Sequence, residues 1–185
     1  VEAGGVAAVF FFAGALAEPF SCVVGTFHAM YHHAEPGKYR HEMGIKEGGS
    51  MALLAGGGPM GLSVIEYILN CDRKPSRLIV TDIAEARLER AGEILSVEYA
   101  AERGVELKYL NTKNCADPDA ELMAFSEGRG FDDVLVFAPV ASLVEQADRI
   151  LAVDGCLNFF AGPADPEFSA RLNFFKVHYS RTHLV

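Results

Sequence analysis

The chain has 185 residues, half of them hydrophobic, and its net charge of −9 gives a pI near 5.1. This length suffices for one good-sized domain, or for a domain with an appendage, around a substantial core. The acidic balance, with no visible basic patch, excludes a nucleic-acid-binding surface and favours a soluble protein that acts on small molecules.

The four cysteines are far apart in the chain and form no CxxC pair; they are Cys22, Cys71, Cys115 and Cys156. This spacing indicates neither a disulfide framework nor a closed zinc site. We therefore expect reduced thiols, most of them buried as small hydrophobic side chains, and a cytoplasmic location.

The chain opens with the apolar stretch VEAGGVAAVFFFAGALAEPF. It lacks the basic segment of a signal peptide, and Glu2 interrupts it early. The run from 3 to 17 is shorter than a membrane crossing requires, so no membrane segment is predicted. We interpret it as core material, a strand and the start of a helix, belonging to a piece of protein that begins upstream.

From residue 51 onward, apolar runs alternate with amphipathic segments. Strands are predicted over 51–56, 76–82, 105–112, 131–139, 155–162 and 178–185, the last of them cut off at its end. Helices are predicted over 59–70, 84–104, 117–128 and 140–152. Asp117 is placed as the N-cap of the third helix, before Pro118.

Solid apolar strands separated by helices indicate a parallel sheet covered on both faces, which is the doubly wound α/β architecture. The polar, glycine-rich segment 32–50 is predicted to be a loop or linker. The chain is accordingly divided into an N-terminal piece, 1–50, and an α/β domain, 51–185.

A glycine-rich bend lies between the first of these strands and its helix. Gly56, Gly58 and Gly61 fit the pattern G-x-G-x-x-G, with Pro59 and Met60 between the last two glycines. In this context the first glycine permits a sharp turn, the second lets a diphosphate approach the backbone, and the third lets the helix lie against the strand. The helix N-terminus then offers unpaired N–H groups to the phosphates.

An acidic residue, Asp82, ends the second strand 21 residues after Gly61. Such a carboxylate accepts the ribose hydroxyls of an adenosine and repels a 2′-phosphate, which predicts NAD rather than NADP. Arg87 is placed to reach the adenine edge of the same site. The structural alternative is an ordinary α/β turn with Asp82 as a helix N-cap.

Two later turns belong on the same edge of the sheet, FAPVAS (137–142) and FFAGPAD (159–165). The first is expected to line the nicotinamide side of the cofactor and the second to pack beneath it, although each is equally explained as a connection. The candidate cofactor-binding residues in these turns are Ala138, Pro139, Val140, Phe160 and Ala161.

The motifs GGGPMGL and VTDIAEARLERA resemble the nucleotide-binding half of the zinc-dependent medium-chain dehydrogenases, the sorbitol and alcohol dehydrogenase group. LAEPFSCVVGTFHA (16–29) resembles a segment just before the cofactor domain in polyol dehydrogenases of that group. The tail NFFAGPADPEFSARLNFFKVHYSRTHLV further resembles the L-sorbose-1-phosphate reductase branch. Together the resemblance covers 15–185, with a longer 32–50 loop than is common and a proline, Pro139, where many members have a small residue.

The resemblance implies a Rossmann-type domain preceded by the remnant of a GroES-like catalytic domain, within a parent about twice this length. It also implies that NAD is the cofactor, that zinc is present in the full-length parent, and that the substrate is a polyol or sugar phosphate. Glu18 matches a glutamate near or on the catalytic zinc. The chain alone is expected to bind NAD without turnover.

Other possible metal ligands follow Glu18 along the chain. Cys22 shares a helix face with it, while His28 does not cleanly join them. His28 and His32 have a chelating i, i+4 spacing, but a solvated helix end explains them better, because polar histidines are common at helix ends and no third ligand is evident.

Two further functions remain open: a methyltransferase that binds S-adenosylmethionine, and a non-catalytic module that senses the redox state of NAD. A homo-oligomer, dimer or tetramer, is expected through the apolar last strand. No nucleic-acid or membrane partner is predicted.

Overall fold

A computed structural model describes residues 3–35 and 38–185, and the side chains from position 11 onward except that of 12. The helices are α1 (Ala3–Ala29), α2 (Pro59–Asn70), α3 (Glu85–Ile94), α4 (Val97–Ala101), α5 (Pro118–Phe125), α6 (Ala141–Ile150) and α7 (Phe174–Tyr179). The strands are β1 (Tyr31–His33), β2 (His41–Met43), β3 (Ser50–Leu54), β4 (Arg77–Asp82), β5 (Glu106–Asn111), β6 (Phe131–Val136), β7 (Leu151–Phe159) and β8 (His183–Leu184).

Six strands form one parallel sheet in the order β5-β4-β3-β6-β7-β8. The first strand of this sheet in chain order, β3, is central. The next two strands, β4 and β5, extend the sheet on one side, and β6, β7 and β8 then extend it on the other. The crevice lies where this direction reverses, between β3 and β6 at their carboxyl ends, and it is the place where such sheets bind ligands.

Helices cover both faces of this sheet, as predicted. On β3, Met51 and Leu53 join one apolar cluster while Ala52 and Leu54 join the other. Successive side chains of a strand point to opposite faces, so each strand contributes to both clusters. The first cluster receives the apolar face of α2 and the second receives that of α6. The α/β doubly wound prediction is confirmed.

The N-terminal segment differs from its prediction. A single helix, α1, spans the stretch that was expected to hold a strand and a helix start, and Pro19 lies inside it. Phe11 and Leu16 are exposed rather than buried, and among the described side chains of α1 those in the core begin at Val23, with Phe27 stacked on Tyr67. Among the described residues, no helix combines the length and the apolarity that a membrane crossing requires.

The segment 32–50 is not a featureless linker. β1 and β2 form an antiparallel hairpin in which His32 lies opposite Glu42, and Ile45 after it is buried in the core. The prediction of a loop was wrong because polarity was taken as a sign of exposure. In the structure, the side chains of His32 and His33 are hydrogen-bonded to Asp133 and Asp154 of the six-stranded sheet.

The predicted helix 84–104 is two helices, because Ser96 interrupts it. The Ser96 hydroxyl accepts a hydrogen bond from the N–H of Tyr99 at 3.2 Å and caps α4. A serine that bonds to the backbone in this way competes with the helix ladder. By contrast, Asp117 caps α5 as predicted, accepting from the N–H of Ala120 at 3.0 Å.

The last two predicted strands have different bounds in the structure. β7 begins at Leu151 rather than 155, with an irregularity in its pairing with β6. The segment 178–185 was predicted as one strand, but α7 occupies its start and β8 pairs with β7 through two residues only.

Candidate functional site

The glycine bend after β3 is closed by hydrogen bonds to the neighbouring strand. The N–H of Gly56 donates to the carbonyl of Thr81 at 2.8 Å, and the backbone of Ala55 adopts a positive φ of 57°. A Cβ at Gly56 would lie only 2.8 Å from the Cβ of Leu53. This sharp turn therefore requires a glycine at the first position of the motif.

The third glycine of the motif lies where α2 touches the bend. A Cβ at Gly61 would overlap with the carbonyl of Gly56 and lie 2.8 Å from its Cα. Any side chain here would push the first turn of the helix away from the strand. Gly61 thus fixes how closely the helix N-terminus approaches the end of β3.

The middle glycine is different, because nothing in the protein crowds it. A Cβ at Gly58 would meet no atom within 4 Å, and its φ of −84° and ψ of 177° suit any residue. Gly58 is the N-cap of α2, with Pro59 as the first helical residue, and it has no side chain to cap the helix. Packing does not require a glycine there, and serine, asparagine or aspartate would cap the helix better, whereas a ligand that lies against the helix N-terminus does require one.

Asp82 points toward the bend from the end of β4. It is buried, and its Oδ2 accepts from the N–H of Gly57 at 3.2 Å. Its Oδ1 accepts from the N–H groups of Ile83 and Ala84 at 2.8 and 3.0 Å. A carboxylate has about four acceptor positions, so three N–H donors leave capacity for a further one.

Gly57 is a residue that the sequence motif missed. A Cβ there would lie 2.8 Å from Oδ2 of Asp82, so the carboxylate could not approach the bend. The run of three consecutive glycines could have indicated that position 57 also needs a glycine, because the G-x-G-x-x-G pattern accounts only for the first and third of them.

A cavity of about 310 Å³ opens beside this bend. It is lined by Ala55, Gly58, Pro59, Met60, Gly61, Arg87, Phe137, Phe160, Ala161 and Gly162. The guanidinium of Arg87 lies 3.8 Å from Oδ2 of Asp82, and its side chain is 62% exposed. An exposed cation therefore lies beside a buried carboxylate at one side of the cavity.

Seven of the predicted cofactor-binding residues meet at this cavity, and five do not line it. Gly56 and Asp82 do not line the cavity, and neither do Ala138, Pro139 and Val140 in the turn after β6. That turn contributes Phe137 instead, whose ring lies 5.1 Å from the ring of Phe160. Phe137 is the first residue after β6, so its place in the strand order could have identified it.

Both later turns are tied to the sheet beside the bend. The N–H of Phe137 donates to the carbonyl of Leu54 at 2.9 Å, and that of Ala161 donates to Val136 at 3.0 Å. The carboxyl ends of β3, β6 and β7 are thereby held side by side.

A second cavity, of about 550 Å³, adjoins the first and shares Met60 and Phe160 with it. Glu18 and Cys22 on α1 also line this cavity, and the Sγ of Cys22 lies 3.5 Å from Oε1 of Glu18. Glu18 is thus brought to the cavity next to the glycine bend, although it lies 38 residues before Gly56 in the chain.

The two histidines considered as chelators are not brought together for that purpose. His28 lines a separate cavity with Cys71 and Arg73, while His32 is buried in β1 with both ring nitrogens hydrogen-bonded. Neither the chelating pair nor the solvated helix end is correct for His32. Across the described residues, no three His, Cys, Asp or Glu side chains are grouped so that they could hold a metal ion.

Comparison with known proteins gives relatives over part of their length. No protein-family model matches the chain. Mannitol-1-phosphate 5-dehydrogenase of Aliivibrio fischeri is 53% identical over 170 residues, which are 92% of this chain and 40% of that protein. L-sorbose 1-phosphate reductase of Klebsiella pneumoniae is 47% identical over 174 residues, 94% of this chain and 41% of that protein.

The fold is also found among solved structures. Zinc dependent alcohol dehydrogenase 2 from Streptococcus pneumonia matches with a TM-score of 0.61 and 18% identity, over 92% of this chain and 41% of that one. The chain is therefore related by sequence to sugar-phosphate dehydrogenases and reductases over about two fifths of their length, and it shares the Rossmann-type fold of zinc-dependent alcohol dehydrogenases.

Proposed function

We propose that this chain is the NAD-binding portion of a zinc-dependent polyol or sugar-phosphate dehydrogenase or reductase. The whole protein would transfer a hydride between NAD(H) and an alcohol or ketone, for example between L-sorbose 1-phosphate and a hexitol phosphate. The observation that carries the proposal is the open space at Gly58, on the N-terminus of α2 and at the edge of a cavity.

The residues present fit a dinucleotide at this bend. Its diphosphate would rest on the first N–H groups of α2, where the helix dipole favours negative charge. Asp82 would use its remaining acceptor capacity for an adenosine ribose hydroxyl, and its charge would disfavour a 2′-phosphate. Arg87 can move toward the phosphates or the adenine, because most of its side chain is exposed.

NAD, when bound, supplies the hydride acceptor, and the chain's task is to orient it. Met60 and Phe160 lie between the two cavities, so they would separate the diphosphate from the nicotinamide end. Glu18 lies on the far side of that boundary and faces the space where a substrate oxygen would approach. The turn residues Ala138, Pro139 and Val140 remain proposed contacts of the nicotinamide.

Zinc, when bound, would act as a Lewis acid on the substrate oxygen. A catalytic zinc takes three protein ligands, and this chain offers Glu18 with Cys22 beside it. Glu18 is proposed as a ligand, with the rest of the set supplied by parts of the protein outside the described residues.

Three broader expectations also stay proposals. A boundary near residue 50 would separate the end of a catalytic domain from the nucleotide-binding domain. A homo-oligomer is supported by the edge position of β8 and by exposed apolar side chains near it, Phe174, Phe175 and Leu184. A cytoplasmic location is supported by four free cysteines.

The proposal is tested by thermal unfolding of the chain with NAD⁺, NADH, NADP⁺ and S-adenosylmethionine. A ligand that binds only the folded state stabilises it by about 2.7 kcal/mol at a hundred times its Kd. We expect a rise in Tm with NAD⁺ or NADH and none with S-adenosylmethionine. A rise only with S-adenosylmethionine would support the methyltransferase, and no rise with any nucleotide would refute the site. Turnover of sugar phosphate by the complete protein separates the enzyme from an NAD-sensing module.

A further inference from the structure

Both ring nitrogens of His32 face hydrogen-bond acceptors inside the protein. His32 is 1% exposed, its Nε2 lies 3.0 Å from Oδ1 of Asp133, and its Nδ1 lies 3.1 Å from the carbonyl oxygen of Asp154. A carbonyl oxygen cannot donate, so Nδ1 must carry a proton. A neutral imidazole has only one N–H, and Nε2 would then present a lone pair to the carboxylate.

The pair of His32 and Asp133 therefore holds one more proton than a neutral histidine with an ionised aspartate. We assign that proton to the imidazole, which is a stronger base than a carboxylate. The N–H of Lys46 donates to the other oxygen of Asp133 at 2.9 Å, so that oxygen serves as an acceptor. Asp133 is also only 1% exposed, and an unpaired charge is costly in such a buried position. The charges of His32 and Asp133 therefore each require the other as a partner.

The neighbouring charged groups reinforce this arrangement. Burial by itself lowers the pKa of His32, but the hydrogen bond and charge of Asp133, with those of Asp154, outweigh it and hold the pKa above the ordinary 6.5. His183 of β8 is a second titratable ring beside His32: its Nε2 lies 2.6 Å from the carbonyl oxygen of Tyr31 and its Nδ1 lies 3.3 Å from that of Arg181, while burial lowers its pKa. Asp132 and Cys156 also lie close, and burial raises the pKa of each of them.

These contacts join the β1–β2 hairpin to the sheet. His32 is hydrogen-bonded to Asp133 of β6 and to the carbonyl oxygen of Asp154 of β7. The backbone N–H and the ring Nδ1 of the adjacent His33 are both hydrogen-bonded to the carboxylate of Asp154. His183 of β8 is in turn hydrogen-bonded to the carbonyl of Tyr31 at 2.6 Å. The hairpin is also the link between α1 and β3, so its attachment affects how firmly α1 is held.

We propose that His32 is a buried imidazolium which, paired with Asp133, fastens the β1–β2 hairpin to the sheet, and that the hairpin loosens when this proton is lost at rising pH. Because the folded state favours the charged form of His32, the stabilisation is complete below pH 6.5. It is lost as the pH rises through the higher pKa that His32 has in the folded state. Each unit by which the pKa of His32 in the attached hairpin exceeds its pKa in the open hairpin changes the equilibrium for hairpin opening about tenfold.

The first test reads the proton directly in the whole chain. Long-range ¹H–¹⁵N NMR of the histidine rings should show both nitrogens of His32 protonated at pH 7, and one of them losing its proton at higher pH. A ring with one protonated nitrogen at pH 7 would overturn the proposal. This measurement needs no variant, so it stands even if a substitution prevents folding.

The second test uses Asp133→Asn. The amide NH₂ can donate to a neutral His32, while its oxygen still accepts from the N–H of Lys46, so the pair remains satisfied without a charge. Hydrogen-exchange protection of the hairpin amides of Ala34 and Gly44 should fall with rising pH in the native chain, relative to amides of β3. In the variant that fall should disappear.

His41→Gln is the matched control, because His41 lies exposed on the same hairpin. The pH-dependent loss of protection should persist in this variant. Equal pH dependence in the native chain and in Asp133→Asn, or its loss in His41→Gln, would show that the His32–Asp133 pair is not its cause.

Discussion

Replacing Gly58 by alanine should block the cofactor and leave the fold intact. The added Cβ meets no protein atom within 4 Å, and the backbone angles at this position suit alanine. Alanine is a poorer N-cap than glycine, but it also restricts the unfolded chain, so we expect a stability change within about 1 kcal/mol. The new methyl group would lie against the helix N-terminus, in the space that the diphosphate needs.

The expected loss of affinity follows from the hydrogen bonds at risk. A hydrogen bond between a backbone N–H and a charged group contributes about 1.5–3 kcal/mol, and displacing the diphosphate by the width of a methyl group removes at least one. The Kd for NADH should therefore rise about 10- to 100-fold. Calorimetric titration gives this ratio, and thermal unfolding without ligand shows that the fold is unchanged.

Two comparison variants make the result specific. Gly61→Ala places its Cβ against the backbone of Gly56, so it should destabilise the fold by about 1–3 kcal/mol or more. Gly14→Ala makes the same chemical change at an exposed position inside α1 with nothing within 4 Å, so it should leave NADH binding unchanged and stabilise the fold by at most about 1 kcal/mol. If Gly58→Ala binds NADH as tightly as the native chain, no diphosphate rests on this bend and the reasoning fails.

Four further changes test other parts of the structure. Asp82→Asn should cost about 1–3 kcal/mol in urea unfolding, because an amide NH₂ must then face a backbone N–H; unchanged stability would show that these bonds are not needed. Ser96→Ala should cost about 1 kcal/mol through loss of its cap while the Kd for NADH stays the same; a changed Kd would contradict a purely local role. A thiol reagent at pH 8 should label exposed Cys22 in the folded chain and Cys156 only after unfolding, since burial raises the pKa of Cys156 to about 12; early labelling of Cys156 would contradict its burial. In the complete protein, Glu18→Gln should lower bound zinc or kcat, measured by metal analysis and steady-state kinetics, while NADH binding to this chain is retained; native values of both zinc and kcat would remove Glu18 from the metal site.

Local patterns were sufficient for much of the fold. The helix over Pro59–Asn70 begins and ends where its sequence predicts, because a proline at its first position and a buried stripe of apolar residues are both local signals. The Asp117 cap was likewise predicted from local residues. The central strands were predicted as elements from their solid apolar runs, although their ends differ from the prediction by up to three residues.

Contacts between distant parts of the chain could not be predicted in this way. The histidines of β1 read as polar loop residues, and only their meeting with Asp133 and Asp154, more than 100 residues later, accounts for their burial. The turn after β6 likewise presents Phe137, rather than the three residues that follow it, to the cavity.

The sequence by itself therefore determined the alternation of strands and helices from β3 to β7 and the glycine bend, because backbone conformation and hydrophobic periodicity act over a few residues. Only the tertiary structure shows that position 57 must be glycine because the Asp82 carboxylate lies against it. The same is true of the place of Glu18 at the cavity beside the bend and of the two acceptors that face His32. Each of these depends on the direction in which a side chain meets a partner from another strand or helix, and short-range patterns carry no information about that meeting.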